Sequence, residues 1–459
     1  MYPWSKSAFL SENKAMRALS SILFIALGIC CASALFIACP LASADSATQA
    51  LDLSGVWNTT DSCFPDTPYT MIIKQEGDSF TLTSTLGPAP SCNGTLSGSM
   101  LELNCTDVRF SDAPYALTGT VLSDTSIAVS FRTAAQSLQT CTLTKHTGLD
   151  PMVAIMLVPI NRAEARKPMG QRTPRQMRRY MARMNLAGLF FPAAPVASIK
   201  NMRIPGPSGS IPVRIYTPAG KGPFPVIVFY HGGGWVVGNS KMFDHYSRLL
   251  AGETRALVFS VDYRLAPEHV FPAALDDAYA ALQWVAENAA SINGDPMRIA
   301  VAGESAGANM ATVVSMLARD QNGPHILFQV LMCPVTNVSA MNTDSYNEFA
   351  KGYFLTKEWM EAFRGYYLPD SKDWADQRVS PLLAESLEGL PPALVITAAY
   401  DVLRDEGEAY ARRLFEAGVP TKHYRCGGVI HAFATGLIDY IDQSKDAVRL
   451  TARALEEVF

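Results

Sequence analysis

No pair of cysteines in the 459 residues is spaced C-x-x-C, so the ligand pattern of a structural zinc site is missing. Charge is sparse and nearly balanced. Asp, Glu, Lys and Arg make up 17% of the chain and the formal net charge is −4, which gives no general attraction to nucleic acid. No internal repeat and no low-complexity tract interrupts the chain. Histidine is scarce, with seven in all, and that narrows any search for a general base.

What is present is ordinary for a globular enzyme: 48% hydrophobic residues, 29 prolines, and length enough for two or three domains. Residues 1–44 read as targeting. Lys6, Lys14 and Arg17 precede an apolar run from Leu19 to Ala38, and Ala42-Ser43-Ala44 offers a small-x-small cleavage site before Asp45. The run is also about as long as a short membrane span, so an uncleaved signal anchor stays open beside a cleaved signal peptide. The expected location is secreted, periplasmic or cell-envelope, with the membrane reached only through this segment.

Residues 45–147 read as a small antiparallel β domain, sandwich or barrel. Met71–Lys74, Phe80–Thr83, Met100–Leu103 and Ile127–Phe131 are strand candidates, separated by turn signals at Glu76-Gly77-Asp78, Ser97-Gly98 and Ser123-Asp124. Cys63, Cys92, Cys105 and Cys141 all fall in this block. Four cysteines in a small exported domain predict two disulfides, with three connectivities open. Cys333 and Cys426 stand apart and read as buried thiols.

Residues 148–200 read as helical and basic. Arg162, Arg166, Lys167, Arg172, Arg175, Arg178, Arg179 and Arg183 lie among Met177, Met181 and Met184. A solvated basic face over an apolar one accounts for this pattern, and contact with anionic lipid is the alternative. From residue 201 to 459 apolar segments of strand length (Pro225–Tyr230, Ala256–Val261, Arg298–Ala302, Leu327–Met332, Ala393–Ala398) alternate with helical patterns such as Leu275, Ala278, Leu282, Val285 and Ala306, Met310, Val313, Val314, Leu317. That alternation predicts an α/β fold with a mostly parallel sheet and helices on both faces.

Gly303-Glu304-Ser305-Ala306-Gly307 lies between a strand candidate and a helical pattern, the setting of a nucleophile elbow. The turn is so sharp that side chains near it must be small; glycines at 303 and 307 permit close approach of neighbouring backbone, and the turn holds Ser305 at a helix N-terminus. A plain glycine-rich turn with a capping serine is the bland reading. His231-Gly232-Gly233-Gly234 follows the strand Pro225–Tyr230 and lacks the Gly-Lys-Ser/Thr ending of a phosphate loop. Acyl transfer needs donors fixed in advance for an oxyanion, and the N–H groups of Gly232, Gly233 and Ala306 are the candidates. His231 reads as structural.

A serine nucleophile needs a base, and the base an acid, in the chain order Ser, acid, His. Asp401 follows the strand Ala393–Ala398, with Asp405 and Glu406 as rival acids that read as loop supports. His431 lies about 30 residues before the C-terminus. His325 precedes a strand and His423 lies inside one, so neither sits at a strand's C-terminal end.

Together, His231–Gly234, Tyr263-Arg264-Leu265-Ala266-Pro267-Glu268-His269, Gly303–Gly307, and Asp401–Gly407 with His431 resemble the hormone-sensitive-lipase-like (bacterial family IV) esterases of the α/β-hydrolase superfamily over about residues 150–459. The resemblance implies a Ser-Asp-His carboxylesterase acting on short- to medium-chain esters. It implies no cofactor or metal, and a helical cap from 148–200 joined by 340–375. The family often has Asp at Glu304, Pro at Val402 and Gly at Ala432, departures that bear on substrate preference rather than on reaction type. The expected partner is a small-molecule ester, and a homodimer is left open. Hydrolysis of another acyl derivative (amide, carbamate or lactone) uses the same triad. A ligand-binding protein on this fold would be expected to have lost His431. An envelope-binding role through residues 45–147 is a third reading.

Overall fold

A computed structural model describes residues 148–185 and 191–459, together with eight strands between residues 55 and 145. The targeting segment expected at 1–44 lies outside the described residues.

The eight strands are β1 (Gly55–Thr59), β2 (Thr70–Glu76), β3 (Ser79–Ser84), β4 (Ser91–Ser97), β5 (Met100–Asp107), β6 (Ser111–Ser123), β7 (Ser126–Arg132) and β8 (Leu138–Lys145). Each pairs antiparallel with the next and β1 pairs with β8, so the sheet closes into a barrel rather than a sandwich. Closure leaves no free edge. Ile73, Phe80, Leu101, Leu103 and Ile127 are buried in it. Cys92 and Cys105 are direct partners across β4 and β5. No disulfide occurs among the described residues; Cys63 and the side chains of Cys92, Cys105 and Cys141 fall outside them.

Two helices follow, α1 (Pro151–Arg166) and α2 (Pro174–Asn185). Asp150 caps α1, its carboxylate accepting from the Met152 and Val153 N–H groups at 2.8 and 3.3 Å. The helical stretch ends before residue 200, because β9 (Ser198–Gly206) already starts at Ser198 and pairs with β10 (Gly209–Thr217) as a hairpin.

The remaining strands are β11 (Phe224–Tyr230), β12 (Leu257–Val261), β13 (Gly294–Glu304), β14 (Phe328–Met332), β15 (Ala393–Tyr400) and β16 (Thr421–Ile430). They form an eight-stranded sheet in the order β16-β15-β14-β13-β11-β12-β10-β9. The six strands from β11 to β16 are mutually parallel, and β9 and β10 are antiparallel. β11, β12 and β14 are buried along their whole length, as parallel strands covered on both faces must be.

Successive side chains of a strand point to opposite faces, and β11 divides accordingly. Val226, Val228 and Tyr230 join one hydrophobic cluster, Ile227 and Phe229 the other. The first cluster takes Leu275, Ala278, Leu282 and Val285 of α4 (Ala273–Asn288) and Ala306, Met310, Val313 and Val314 of α5 (Ala306–Asp320). The second takes Tyr246, Leu250 and Ala251 of α3 (Asp244–Thr254) and Ala447, Val448 and Leu455 of α10 (Asp442–Glu456). Between α5 and α10 lie α6 (Asp344–Glu348), α7 (Lys357–Tyr367), α8 (Arg404–Glu416) and α9 (Phe433–Gly436).

The helices read as a cap divide between the two clusters. Met177 of α2 packs in the first, with Trp359 and Phe363 of α7, whereas Val153 and Leu157 of α1 pack in the second. Glu164 Oε2 ties α1 to α7, accepting from Trp359 Nε1 and the Met169 N–H, each at 2.9 Å.

Candidate active site

Four parallel strands end in one place. Ser305 follows β13, His231–Gly234 follow β11, Asp401 follows β15 and His431 follows β16. Ser305 adopts φ 58°, ψ −120°, a conformation that costs a non-glycine residue about 1–3 kcal/mol and persists only when its surroundings over-determine it. Here the Ser305 N–H donates to Met332 O at 2.8 Å, and its carbonyl accepts from the Asn309 N–H at 3.0 Å. The glycines around it are required by crowding. A Cβ on Gly303 would collide with the backbone of Gly307, and one on Gly307 with the Tyr230 carbonyl.

His431 Nε2 lies 3.0 Å from Ser305 Oγ, and His431 Nδ1 lies 2.7 Å from Asp401 Oδ2. All three side chains are buried. The carboxylate fixes the tautomer, since Nδ1–H must donate to it and leave Nε2 free to take a proton. Burial works against a charged His431, yet the charge and hydrogen bond of Asp401, followed by Glu304, outweigh it and raise the imidazole pKa. Asp401 Oδ1 accepts from the Leu403 N–H at 3.0 Å, which aims the other oxygen at the ring.

The rival acids point elsewhere. Asp405 Oδ2 accepts from the Ser345 N–H at 2.7 Å, and Glu406 Oε1 accepts from the Thr336 and Asn337 N–H groups at 2.7 and 3.2 Å. They support the loop, as the sequence reading has them. Of the rival histidines, His325 is exposed, and His423 is buried against Thr397 Oγ1 at 3.0 Å.

The N–H groups of Gly232, Gly233 and Ala306 donate to no other group among the described residues. Gly233 and Gly234 take positive φ of 121° and 58°, which turns the loop back on itself. His231 is structural. Its Nδ1 is 2.8 Å from Gly232 O, its ring stacks on Tyr263 at 4.2 Å, and Tyr263 Oη donates to its carbonyl at 2.7 Å. Burial lowers its pKa and keeps it neutral. Cys333, Asp401 and His431 bring three ligand-type atoms within 4.8 Å of one another. Asp401 and His431 are already bonded to each other, and burial pushes the Cys333 thiol well up, keeping it protonated.

Two contributions escaped the sequence. Arg178 of α2 forks onto Glu268 at 2.7 and 2.6 Å and also donates to the Val236 and Ala266 carbonyls at 2.8 and 2.9 Å. It fastens α2 to the segment after the glycine-rich loop rather than lying on a solvated face. Glu304 Oε1 comes within 3.4 Å of His431 Nε2. The departure at Ala432 has a local consequence, since this residue sits at φ 61° where glycine carries no steric penalty.

Residues 227–435 match a family model described as an alpha/beta hydrolase fold. The carboxylic ester hydrolase LipN of Mycobacterium tuberculosis is 47% identical over 241 residues, covering 51% of this chain and 64% of LipN. The carboxylesterase NlhH of the same species is 44% identical over 228 residues, covering 49% of this chain and 71% of NlhH. Among solved structures, the hyperthermophilic esterase of the archaeon Pyrobaculum calidifontis superposes with a TM-score of 0.65 at 37% identity, covering 68% of this chain and 99% of that one.

Proposed function

The chain belongs to the hormone-sensitive-lipase-like esterases of the α/β-hydrolase superfamily, which makes it an enzyme acting on carboxylic esters, and on that premise we propose that Ser305, His431 and Asp401 carry the reaction. The observation that supports the assignment best is the continuous relay from Ser305 Oγ to His431 Nε2 at 3.0 Å and from His431 Nδ1 to Asp401 at 2.7 Å.

Ser305 Oγ attacks the ester carbonyl carbon while its proton passes to His431 Nε2. The carbonyl oxygen becomes an oxyanion and accepts from the N–H groups of Gly232, Gly233 and Ala306. Each such donor is worth about 10²–10³ in rate. Asp401 stabilises the imidazolium. His431 then gives the proton to the leaving alcohol oxygen, and the C–O bond to the alcohol breaks. Water, deprotonated by His431, attacks the acyl-enzyme and releases the acid and free Ser305. The substrates are short- to medium-chain esters. A fluorophosphonate probe is expected to add one phosphonyl group to the wild-type protein at Ser305 and none to Ser305→Ala. Labelling at another residue contradicts the assignment.

The protein is exported, a reading supported by the leader pattern at 1–44 and by Cys92 and Cys105 standing at paired register positions of β4 and β5. The barrel is an accessory domain stapled by two disulfides, one of them Cys92–Cys105. Thiol alkylation of denatured, exported protein without reductant is expected to leave those two cysteines unmodified. Their complete alkylation contradicts the pairing.

A further inference from the structure

Glu304 stands immediately before the nucleophile and is 3% exposed. Its Oε1 has no hydrogen-bond partner among the described residues. A buried carboxyl left that way is costly, because the lost hydration is not replaced. What it faces is His431 Nε2, 3.4 Å away, and this is the same nitrogen that lies 3.0 Å from Ser305 Oγ. The carboxyl cannot easily retreat, since Gly232 presses on its other oxygen so closely that a Cβ there would collide with Oε2.

The other ionisable groups around Glu304 and His431 come from several elements, among them Glu406 of α8, whose charge also raises the His431 imidazole. Asp401 follows β15, Tyr263 follows β12, Cys333 follows β14, and Tyr246 belongs to α3. Burial pushes both tyrosines and the thiol upward, so these stay neutral. Asp401 is spoken for by His431. Among these groups, the one cation available to Glu304 is the imidazolium that His431 becomes when it takes the serine proton.

We propose that Glu304 is a positioning residue for His431, a second carboxylate that receives the Nε2–H of the imidazolium when ionised and, when protonated, donates to Nε2 and withdraws the base from Ser305. The proposal rests on the Ser305–His431–Asp401 reading above. In the first state one proton moves from Ser305 Oγ to Nε2 and is shared with Glu304 until the leaving alcohol takes it. In the second, the same nitrogen is occupied and Ser305 keeps its proton. Burial raises the Glu304 carboxyl to about 7, with His431 pulling it back and Asp401 pushing it up again. Both states are therefore populated near neutral pH. The acid limb of the pH–rate profile then belongs to the Glu304–His431 pair rather than to one residue.

The test is the pH dependence of kcat and kcat/KM for wild type, Glu304→Gln and Glu304→Asp on a p-nitrophenyl ester. Removing the carboxylate removes one of the charges that favour protonated His431. The acid limb of Glu304→Gln is expected to move to lower pH by roughly half to one unit. Its plateau kcat falls about tenfold with the loss of the second partner. Glu304→Asp, shorter by one methylene, lies between the two. Coincident acid limbs for wild type and Glu304→Gln would overturn the proposal whatever happens to kcat, since a merely structural role leaves the limb in place. Should Glu304→Gln not fold, the imidazole of His431 is titrated by NMR in Ser305→Ala/Glu406→Gln, where Glu406 cannot supply a second step: two coupled steps support the pair, and one simple step overturns it. The controls separate the two claims. An active Ser305→Ala sinks the triad reading itself, whereas an inactive Ser305→Ala with unmoved limbs sinks only the role of Glu304.

Discussion

Asp401 Oδ2 and His431 Nδ1 stand 2.7 Å apart, on loops that leave the adjacent parallel strands β15 and β16, and both side chains are inside the protein. Asp401 holds its second oxygen on the Leu403 N–H, so Asp401→Asn can keep that bond and turn its amide toward the ring. Nδ1 must then accept, and the proton moves to Nε2, where it blocks the base. Asp401→Asn is expected to fold normally and to lose about 10³–10⁴ in kcat. A loss below tenfold would show that Asp401 does not set the tautomer.

Arg178 separates two kinds of contact. Its pair with Glu268 is solvent-exposed, with side-chain exposures of 32% and 55%, and such pairs are worth less than about 1 kcal/mol. Its bonds to the Val236 and Ala266 carbonyls are charge-assisted and tie α2 to the segment after the glycine-rich loop. Glu268→Ala is expected to cost less than about 1 kcal/mol in urea denaturation. Arg178→Ala should cost about 2 kcal/mol and raise KM. Arg178→Lys does not restore the loss, because an ammonium cannot fork. Equal costs for the two alanine variants would contradict this division.

Glu406 gives the stability a pH slope. Burial pushes its carboxyl up to about 8, two backbone N–H bonds pull it down, and Asp401 pushes it up again. A side-chain hydrogen bond with Tyr346 pulls it down a little further. An ordinary carboxyl, at 4.5, has already lost the proton in the unfolded chain. Between about 4.5 and 8 the folded state therefore binds more protons than the unfolded one, and this residue's contribution falls as pH rises. Glu406→Gln cannot titrate. The difference in Tm, variant minus wild type, is expected to grow more positive from pH 5 to pH 9. A flat difference would show that Glu406 is ionised throughout.

The sequence shows the parallel strands best because they are buried on both faces and read as unbroken apolar runs, as β11, β12 and β14 do. β9 and β10 are harder to see. β9 has only Ile204 buried and shows neither an apolar run nor alternation, whereas β10 does alternate, with Ile211, Val213 and Ile215 buried, but a proline stands in each strand and weakens the signal. Gly303, Gly307 and the glycines at 232–234 are legible because their steric demand is local. The choice of Asp401 over Asp405 and Glu406 depends on which way each side chain leaves the loop, and spacing alone does not carry that. Arg178 and Glu304 are read too simply for the same reason. Arg178 finds its partners 58 to 90 residues away, and Glu304 meets His431 only because two strand ends converge. In the region before residue 147, alternation and turn signals mark strands but leave sandwich and barrel open, since only the β1–β8 pairing decides between them.

The most direct measurement is hydrolysis of p-nitrophenyl esters from acetate to palmitate by wild type and Ser305→Ala side by side. The account predicts wild-type activity greatest at the short chains. It predicts a fall in kcat of about 10⁵–10⁶ in Ser305→Ala, because the nucleophile cannot be replaced by the rest of the site. A folded Ser305→Ala protein that keeps more than a tenth of the wild-type rate would contradict it.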